Sequence, residues 1–358
     1  MFSIDFSTIK PTAVRPIYVV GAGSIVNDAH LPAYASAGFP VAGIFDPRRD
    51  KSETTAERFS IPRVFESLTE MTSHAASDAV FDIAVPGDAL PEVLKAIPDG
   101  SAVLMQKPMG NNLAQAREVL RIAGEKKLIA AVNFQLRYAP FINGLRDLMK
   151  KGVLGEIYDV EVNVNVFTPW KTWDFLYTLP RVEILYHSIH YIDLMRSLLG
   201  EPRAIQAKSF RHPLMPELAS VRSSIVMDYG DMLRASIHTN HANDFGPDQQ
   251  DAYIKVEGTG GAVKIRLGVL MDYPKGVPDV FSYCIKTQGV MPVWHTADPG
   301  GTWFPDAFVG SMAQVMCAAS GEIEKPDNSV EDVINTMICV ETAYLSHEKG
   351  GIHPEMLK

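Results

Sequence analysis

One stretch constrains this chain more than any other: IYVV-GAGSIV at residues 17–26, followed at residues 41–46 by VAGIF-D. Four apolar, mostly β-branched residues that end in Gly-x-Gly and lead into a helix-compatible segment open a βαβ unit. Gly21 suits the tight turn off the strand. Gly23 sits where any side chain would hold the backbone away from a pyrophosphate. The amides that open the following helix, Ser24 and Ile25 first and Asn27 last, then face the phosphates, and the helix dipole favours that charge. The third fingerprint position is Val26 in place of Gly or Ala, so helix and strand must pack differently there. Asp46 ends the second strand close to the expected spacing of about 20 residues beyond the glycines. A carboxylate there accepts hydrogen bonds from ribose hydroxyls and repels a 2′-phosphate, which makes NAD the expected cofactor. Arg48 and Arg49 follow at once, and an arginine in that place accommodates the extra phosphate, so NADP stays possible.

The first third of the chain keeps this rhythm. Strands are expected at Ile17–Val20, Val41–Phe45, Val80–Val85, Ala102–Met105 and Leu128–Val132, each short and continuously apolar, as in a parallel sheet covered on both faces. Between the last two, Leu113, Ala116, Leu120 and Ala123 share a helical face, and Asn112 with Gln115 forms an N-terminal capping pattern. After about residue 135 the period changes to two. In EIYDVEVNVNVF, valines alternate with Asp159, Glu161, Asn163 and Asn165, the sign of a strand with one wetter face. Val221–Tyr229 with Met232–Asn240, and Tyr253–Glu257 with Ala262–Arg266, read as hairpins. Helices are expected near Glu183–Leu199, Asp306–Ala319 and Val330–His347. The expected fold is therefore an α/β Rossmann domain over residues 1–135, then an α+β domain over 136–358 with a large, mostly antiparallel sheet and helices against it.

Composition excludes other classes. A net charge of −9 with no basic stripe argues against a nucleic-acid partner. No apolar run approaches the roughly 20 residues that span a bilayer. The opening MFSIDFSTIKPTAVRP lacks the basic start and apolar core of a secretory signal. Cys284, Cys317 and Cys339 are odd in number and match no metal-ligand spacing, so buried reduced thiols and a cytoplasmic location are expected.

Lys107, in MQKPMG, lies at the carboxyl end of a strand, the edge where open parallel sheets bind ligands, and Pro108 fixes the turn after it. With Lys107 in view, GAGSIVNDAHLPAY, the Asp46 position, QKP and HSIHYIDLMRSLLGEP together resemble the glucose-fructose oxidoreductase, inositol dehydrogenase and rhizopine-catabolism (Gfo/Idh/MocA) family, in order and over nearly the whole chain. The resemblance implies that Lys107 binds the reacting hydroxyl and lowers its pKa while also contacting the cofactor, that the Lys-Pro bond is often cis, that Pro86 occupies the turn near the nicotinamide, and that dimers or tetramers form through the large sheet. Two departures stand out. Gln106 replaces the family's usual Glu, and in the pattern Asp-x-Gly-x-His-x-x-Asp this chain has Tyr186, Ser188, His190 and Asp193. The usual Asp–His pair is therefore missing. His190 is expected to be the main acid/base, with Lys107 and Tyr186 orienting and polarising the hydroxyl.

His187 reads either as a further acid/base or as a packing residue. His187-x-x-His190 has no third ligand nearby, so no metal is expected. Weaker substrate-pocket candidates are Asn133, Arg137 (for a polar substrate group or an interdomain carboxylate) and Trp173, which suits a sugar ring but equally a core. The activity implied is hydride transfer between NAD(H) and a hydroxyl or ketone carbon of a sugar, polyol or related small carbohydrate. The alternatives are NAD-dependent redox-neutral glycoside cleavage and a non-catalytic cofactor-binding regulator.

Overall fold

The computed structural model describes residues 3–352 and Glu355. Two compact units divide the chain. Asp5–Asn143 with Gly300–Met337 form one, and Gly144–Pro299 with residues 3–4 and 338–352 form the other.

The first unit runs β1 (Ile17–Val20), α1 (Leu31–Ala37), β2 (Val41–Phe45), α2 (Arg49–Phe59), α3 (Leu68–His74), β3 (Val80–Ile83), α4 (Leu90–Ala96), β4 (Ala102–Gln106), α5 (Leu113–Glu125) and β5 (Ile129–Asn133). Its five strands are all parallel in the order β2-β1-β3-β4-β5. The chain turns outward on opposite sides of β1, so the loop after β1 sits at the topological switch point, where open sheets take ligands. Every residue of β1, β3 and β4 is buried, which explains why their sequences are apolar but for Asp82 and Gln106. Asp82 in β3 is the one carboxylate among them. The α5 cap is as read, with Asn112 accepting from the Gln115 N–H at 3.0 Å.

In the second unit, β6 (Ile157–Asn165) follows α6 (Pro140–Lys150), in which the division between units falls. Then come α7 (Ile189–Leu199), β7 (Ala204–Phe210), β8 (Arg222–Asp228), β9 (Arg234–Asn240), β10 (Asp251–Gly258), β11 (Gly261–Arg266), β12 (Val280–Ile285) and β13 (His295–Ala297). They form one eight-stranded sheet in the order β13-β12-β11-β10-β6-β9-β8-β7. All neighbours are antiparallel except β6 with β9, which run parallel. The two hairpins appear as β8–β9 and β10–β11. Val160, Val162 and Val164 point into the core while Glu161 and Asn163 stay half-exposed, which is the alternation read from the sequence.

The last two helices are α8 (Ala307–Ala319) and α9 (Val330–Lys349). Sequence order puts α8 after the antiparallel sheet, yet it packs on the parallel one. Phe308, Met312, Val315 and Met316 share a core with Ile17, Val19, Leu104 and Ala131. Gly310 permits this contact, because a Cβ there would run into the Tyr138 side chain. The helix is apolar nearly all round, so its sequence carries no face that names a partner.

Candidate functional site

The glycine loop has the geometry that its sequence implies. Gly21 has φ +106°, and a Cβ there would strike the carbonyl of Ala84. Around Gly23 a Cβ would meet nothing within 4 Å, so packing inside the protein does not require glycine there. A bare backbone in open space at the switch point is a cradle that a bound group fills. Asp46 Oδ2 accepts the N–H of Ala22 at 2.8 Å, and Oδ1 accepts that of Arg48 at 2.8 Å. Asn27, absent from the candidate roles assigned to side chains, donates to the carbonyls of Ala22 (3.3 Å) and Gly23 (3.1 Å) and braces the loop. Val26 is fully buried and opens a π-type turn, Val26–His30, in place of a regular first helical turn. Ser24 is exposed and Ile25 half-buried at the start of this segment, and Pro86 accepts from the Ala89 N–H at 3.0 Å in the turn after β3.

Lys107 follows β4 on the same carboxyl edge of the sheet, and the Lys107–Pro108 bond is cis. Its backbone N–H donates to Oε1 of Gln106 at 2.8 Å. The side chain is half-buried by surface area, yet desolvation brings its pKa down from 10.5 to about 8. Asn133 ends β5 fully buried, with Nδ2 3.3 Å from Nε2 of His30. Arg137 is buried, donating to the Asp327 carbonyl and the Asp332 carboxylate at 2.6 Å each, both in its own unit.

In the second unit the histidine motif is not one regular helix. Ile184–Ser188 form a π-type turn, and α7 starts at Ile189. Tyr186 and His187 therefore lie on the widened turn, both half-exposed, while His190 is 8% exposed on α7. Tyr186 packs edge-on against Phe175, with ring centroids 5.7 Å apart. His187 packs against Trp170 (5.0 Å) and His241 (4.4 Å). Trp173 is half-exposed and lies 6.0 Å from the Tyr273 ring.

Beneath this turn lies a buried polar cluster centred on Glu183. Ser188, at the position of the family's glycine, donates to Glu183 Oε1 at 2.7 Å and lies 3.1 Å from Ser223 Oγ. His241 Nε2 lies 3.6 Å from Glu183 Oε1, and its Nδ1 lies 3.0 Å from Thr168 Oγ1. Burial alone would push the Glu183 carboxyl up. Hydrogen bonding and charge from His241, with Ser188 and Ser223, outweigh it and hold the group below the usual range. The only sequence signal was a lone Glu in the apolar run VEIL. Among the described residues no cluster of His, Cys, Asp or Glu is arranged to hold a metal ion, and no helix is long and apolar enough to cross a membrane.

Residues 16–134 match an oxidoreductase family with an NAD-binding Rossmann fold, and residues 142–264 match the C-terminal domain of the same family. The chain belongs to the Gfo/Idh/MocA oxidoreductase family. Its first unit is that family's NAD-binding Rossmann domain, and its two sheets, one parallel and one mostly antiparallel, fit the family architecture. Among curated Gfo/Idh/MocA-like relatives, the trans-1,2-dihydrobenzene-1,2-diol dehydrogenase of Mus musculus is 27% identical over 39% of this chain and 42% of its own length. The D-glucoside 3-dehydrogenase of Escherichia coli is 24% identical over 54% of this chain and 57% of its own length. The chain thus matches about half the length of these relatives. An oxidoreductase structure from Agrobacterium radiobacter, solved with NAD+, L-tartaric acid and magnesium, superposes with a TM-score of 0.77 at 18% identity, covering 97% of this chain and all of the other. That likeness is one of fold.

Proposed function

We propose that this protein is an NAD(H)-dependent dehydrogenase or reductase acting on a hydroxyl or ketone carbon of a sugar, polyol or related carbohydrate. The observation that carries the reading is Lys107: a desolvated lysine at the carboxyl edge of the strands that also present the glycine loop. The relatives named as glucoside and diol dehydrogenases support a CH–OH substrate. The residues fit the dinucleotide. Gly21, Gly23, Ser24 and Ile25 would hold its phosphates, Asp46 its adenosine ribose, and Pro86 would line the nicotinamide side. Asp46 makes NAD the preferred form.

When bound, the nicotinamide supplies the hydride acceptor for oxidation or the donor for reduction. Lys107, as the ammonium, donates a hydrogen bond to the reacting oxygen and stabilises the charge that develops there. His190 takes the hydroxyl proton in oxidation and returns it in reduction. Tyr186 orients the hydroxyl, and Asn133, Arg137, Trp173 and His187 are the weaker substrate contacts, Arg137 the weakest because Asp332 already engages it. We place the protein in the cytoplasm as a homodimer or homotetramer joined through the eight-stranded sheet.

Tyr186 in place of an Asp favours a second reading, in which retained NAD serves redox-neutral glycoside cleavage. One assay separates the two: NAD with polyols, aldoses, sugar acids and glycosides, followed by NADH absorbance. NADH formation that is lost in Lys107→Ala and His190→Ala supports the dehydrogenase. Release of aglycone from a glycoside with no net NADH supports cleavage. Silence in both, with NAD bound, overturns both and favours a regulator.

A further inference from the structure

A buried histidine stands behind Lys107. His30 is fully buried on the π-type turn after the glycine loop, with Nδ1 2.7 Å from Asp82 Oδ2 on β3. Tyr34 on α1 donates to the same oxygen at 2.9 Å. On the other side of the ring, Nε2 lies 3.3 Å from Nε2 of Gln106 on β4 and 3.3 Å from Nδ2 of Asn133 on β5. The Phe308 ring of α8 packs against it at 5.0 Å.

Proton positions in this cluster follow from one group whose polarity is never in doubt. A backbone N–H only donates, and that of Lys107 points at one end of the Gln106 amide at 2.8 Å, so that end is the oxygen. The NH2 end then faces His30, and an amide NH2 only donates, so Nε2 of His30 must offer its lone pair. The ring proton is on Nδ1 and goes to Asp82, whose oxygen accepts from both His30 and Tyr34 as a carboxylate. Burial, then the charge and hydrogen bond of Asp82, raise the Tyr34 pKa, which keeps that phenol a donor.

We propose that His30 is a positioning residue for Lys107: held by Asp82 as the neutral Nδ1–H tautomer, it fixes the Gln106 amide that clamps the Lys107 backbone. This rests on the reading of Lys107 as the lysine that binds the reacting hydroxyl. Gln106 and His30 are matched as donor and acceptor. A Glu at 106 would still accept the Lys107 N–H but would bring an acceptor against Nε2. A second proton must then enter the cluster, on the ring or on the new carboxyl. Its net charge stays the same in either case, so Lys107 feels little change. A Leu at 106 keeps the His30–Asp82 pair and removes only the clamp.

The test uses the full chain with nitrogen-15 histidine, the His30 signal being assigned by its loss in His30→Asn. At neutral pH the wild type should show the Nδ1–H tautomer, and Gln106→Glu a changed His30 proton state. Lys107 is followed separately by competitive amine acetylation against pH with mass mapping. In Gln106→Leu its midpoint should rise by about half a pH unit or more toward ordinary lysine, while in Gln106→Glu it should stay. Once a substrate is known, Gln106→Leu should lower kcat about tenfold with KM for NAD unchanged, and Gln106→Glu should retain most of it. An Nε2–H tautomer in the wild type, or an unmoved Lys107 midpoint in Gln106→Leu, overturns the proposal. Neither spectroscopy nor labelling needs a substrate. The expected tautomer and midpoints with no turnover on any carbohydrate would sink the functional reading and leave the clamp standing.

Discussion

Asp46 Oδ2 accepts the backbone N–H of Ala22 at 2.8 Å, which ties the end of β2 to the middle of the glycine loop. One carboxylate therefore shapes the loop and marks where a ribose would lie. Arg48 is exposed, with Nε 3.5 Å from Asp46 Oδ1. In Asp46→Ser the serine hydroxyl is shorter and uncharged, and Arg48 is released to meet a 2′-phosphate. The ratio of NADP to NAD affinity should rise by about tenfold or more, read by fluorescence titration with both cofactors.

The two loop glycines should respond in opposite ways to the same methyl group. Gly21→Ala meets the Ala84 carbonyl at a positive φ and should destabilise the fold by on the order of 1–3 kcal/mol, seen as a lower Cm in urea. Gly23→Ala enters open space and should leave Cm alone, yet weaken NAD binding by about tenfold or more. Equal Cm losses would mean that Gly23 is kept for packing.

Lys107 is expected to set the alkaline limb of activity. Burial lowers its pKa to about 8, and the ammonium is the working form, so turnover should fall as pH rises through about 8. Lys107→Ala should cost about 10²–10⁴-fold in kcat/KM and abolish that limb. A limb unchanged in position in Lys107→Arg would assign it to another group.

Glu183 predicts an acid-side loss of stability. Its folded pKa lies below its unfolded value, so its contribution is present above the ordinary Glu range and disappears as pH falls through the folded value. Glu183→Gln should flatten the fall in Tm as pH drops below about 4.5. Glu183→Ala, which strips Ser188 of its acceptor and His241 of its neighbouring carboxylate, should cost about 3–5 kcal/mol at neutral pH.

The three cysteines should be silent in the folded protein. All are buried, and burial pushes the Cys317 thiol up to about 11 and the Cys339 thiol up to about 12. Iodoacetamide at neutral pH should label none of them until denaturant is added, when mass spectrometry should find all modified.

The sequence displayed what depends on neighbours in the chain and hid what depends on distant ones. Gly21, Gly23 and Asp46 lie within one βαβ unit, so spacing alone exposed the glycine loop and the carboxylate tied to it, and the valine alternation of β6 exposed its wet face. His30 and Asp82 are 52 positions apart, and Glu183 and His241 are joined only by folding. Each pair left a single trace, a carboxylate stranded in an apolar run (VFDI and VEIL) that burial obliges to find a partner. The π-type turns were invisible because they arise where tertiary contacts override helical periodicity. With a boundary expected near residue 135, helix α8 was read into the second domain, whereas its residues belong with Asp5–Asn143.

That return of α8 reverses the usual schedule of synthesis. A ribosome releases β1 to β5 first, but the core around Leu104 and Ala131 lacks Phe308 and Met312 until α8 emerges. All eight strands of the other sheet leave the exit tunnel in the meantime. The nucleotide-binding half, although made first, can be finished only after the strands of its successor are out, and during that interval its incomplete apolar core is what a chaperone would meet.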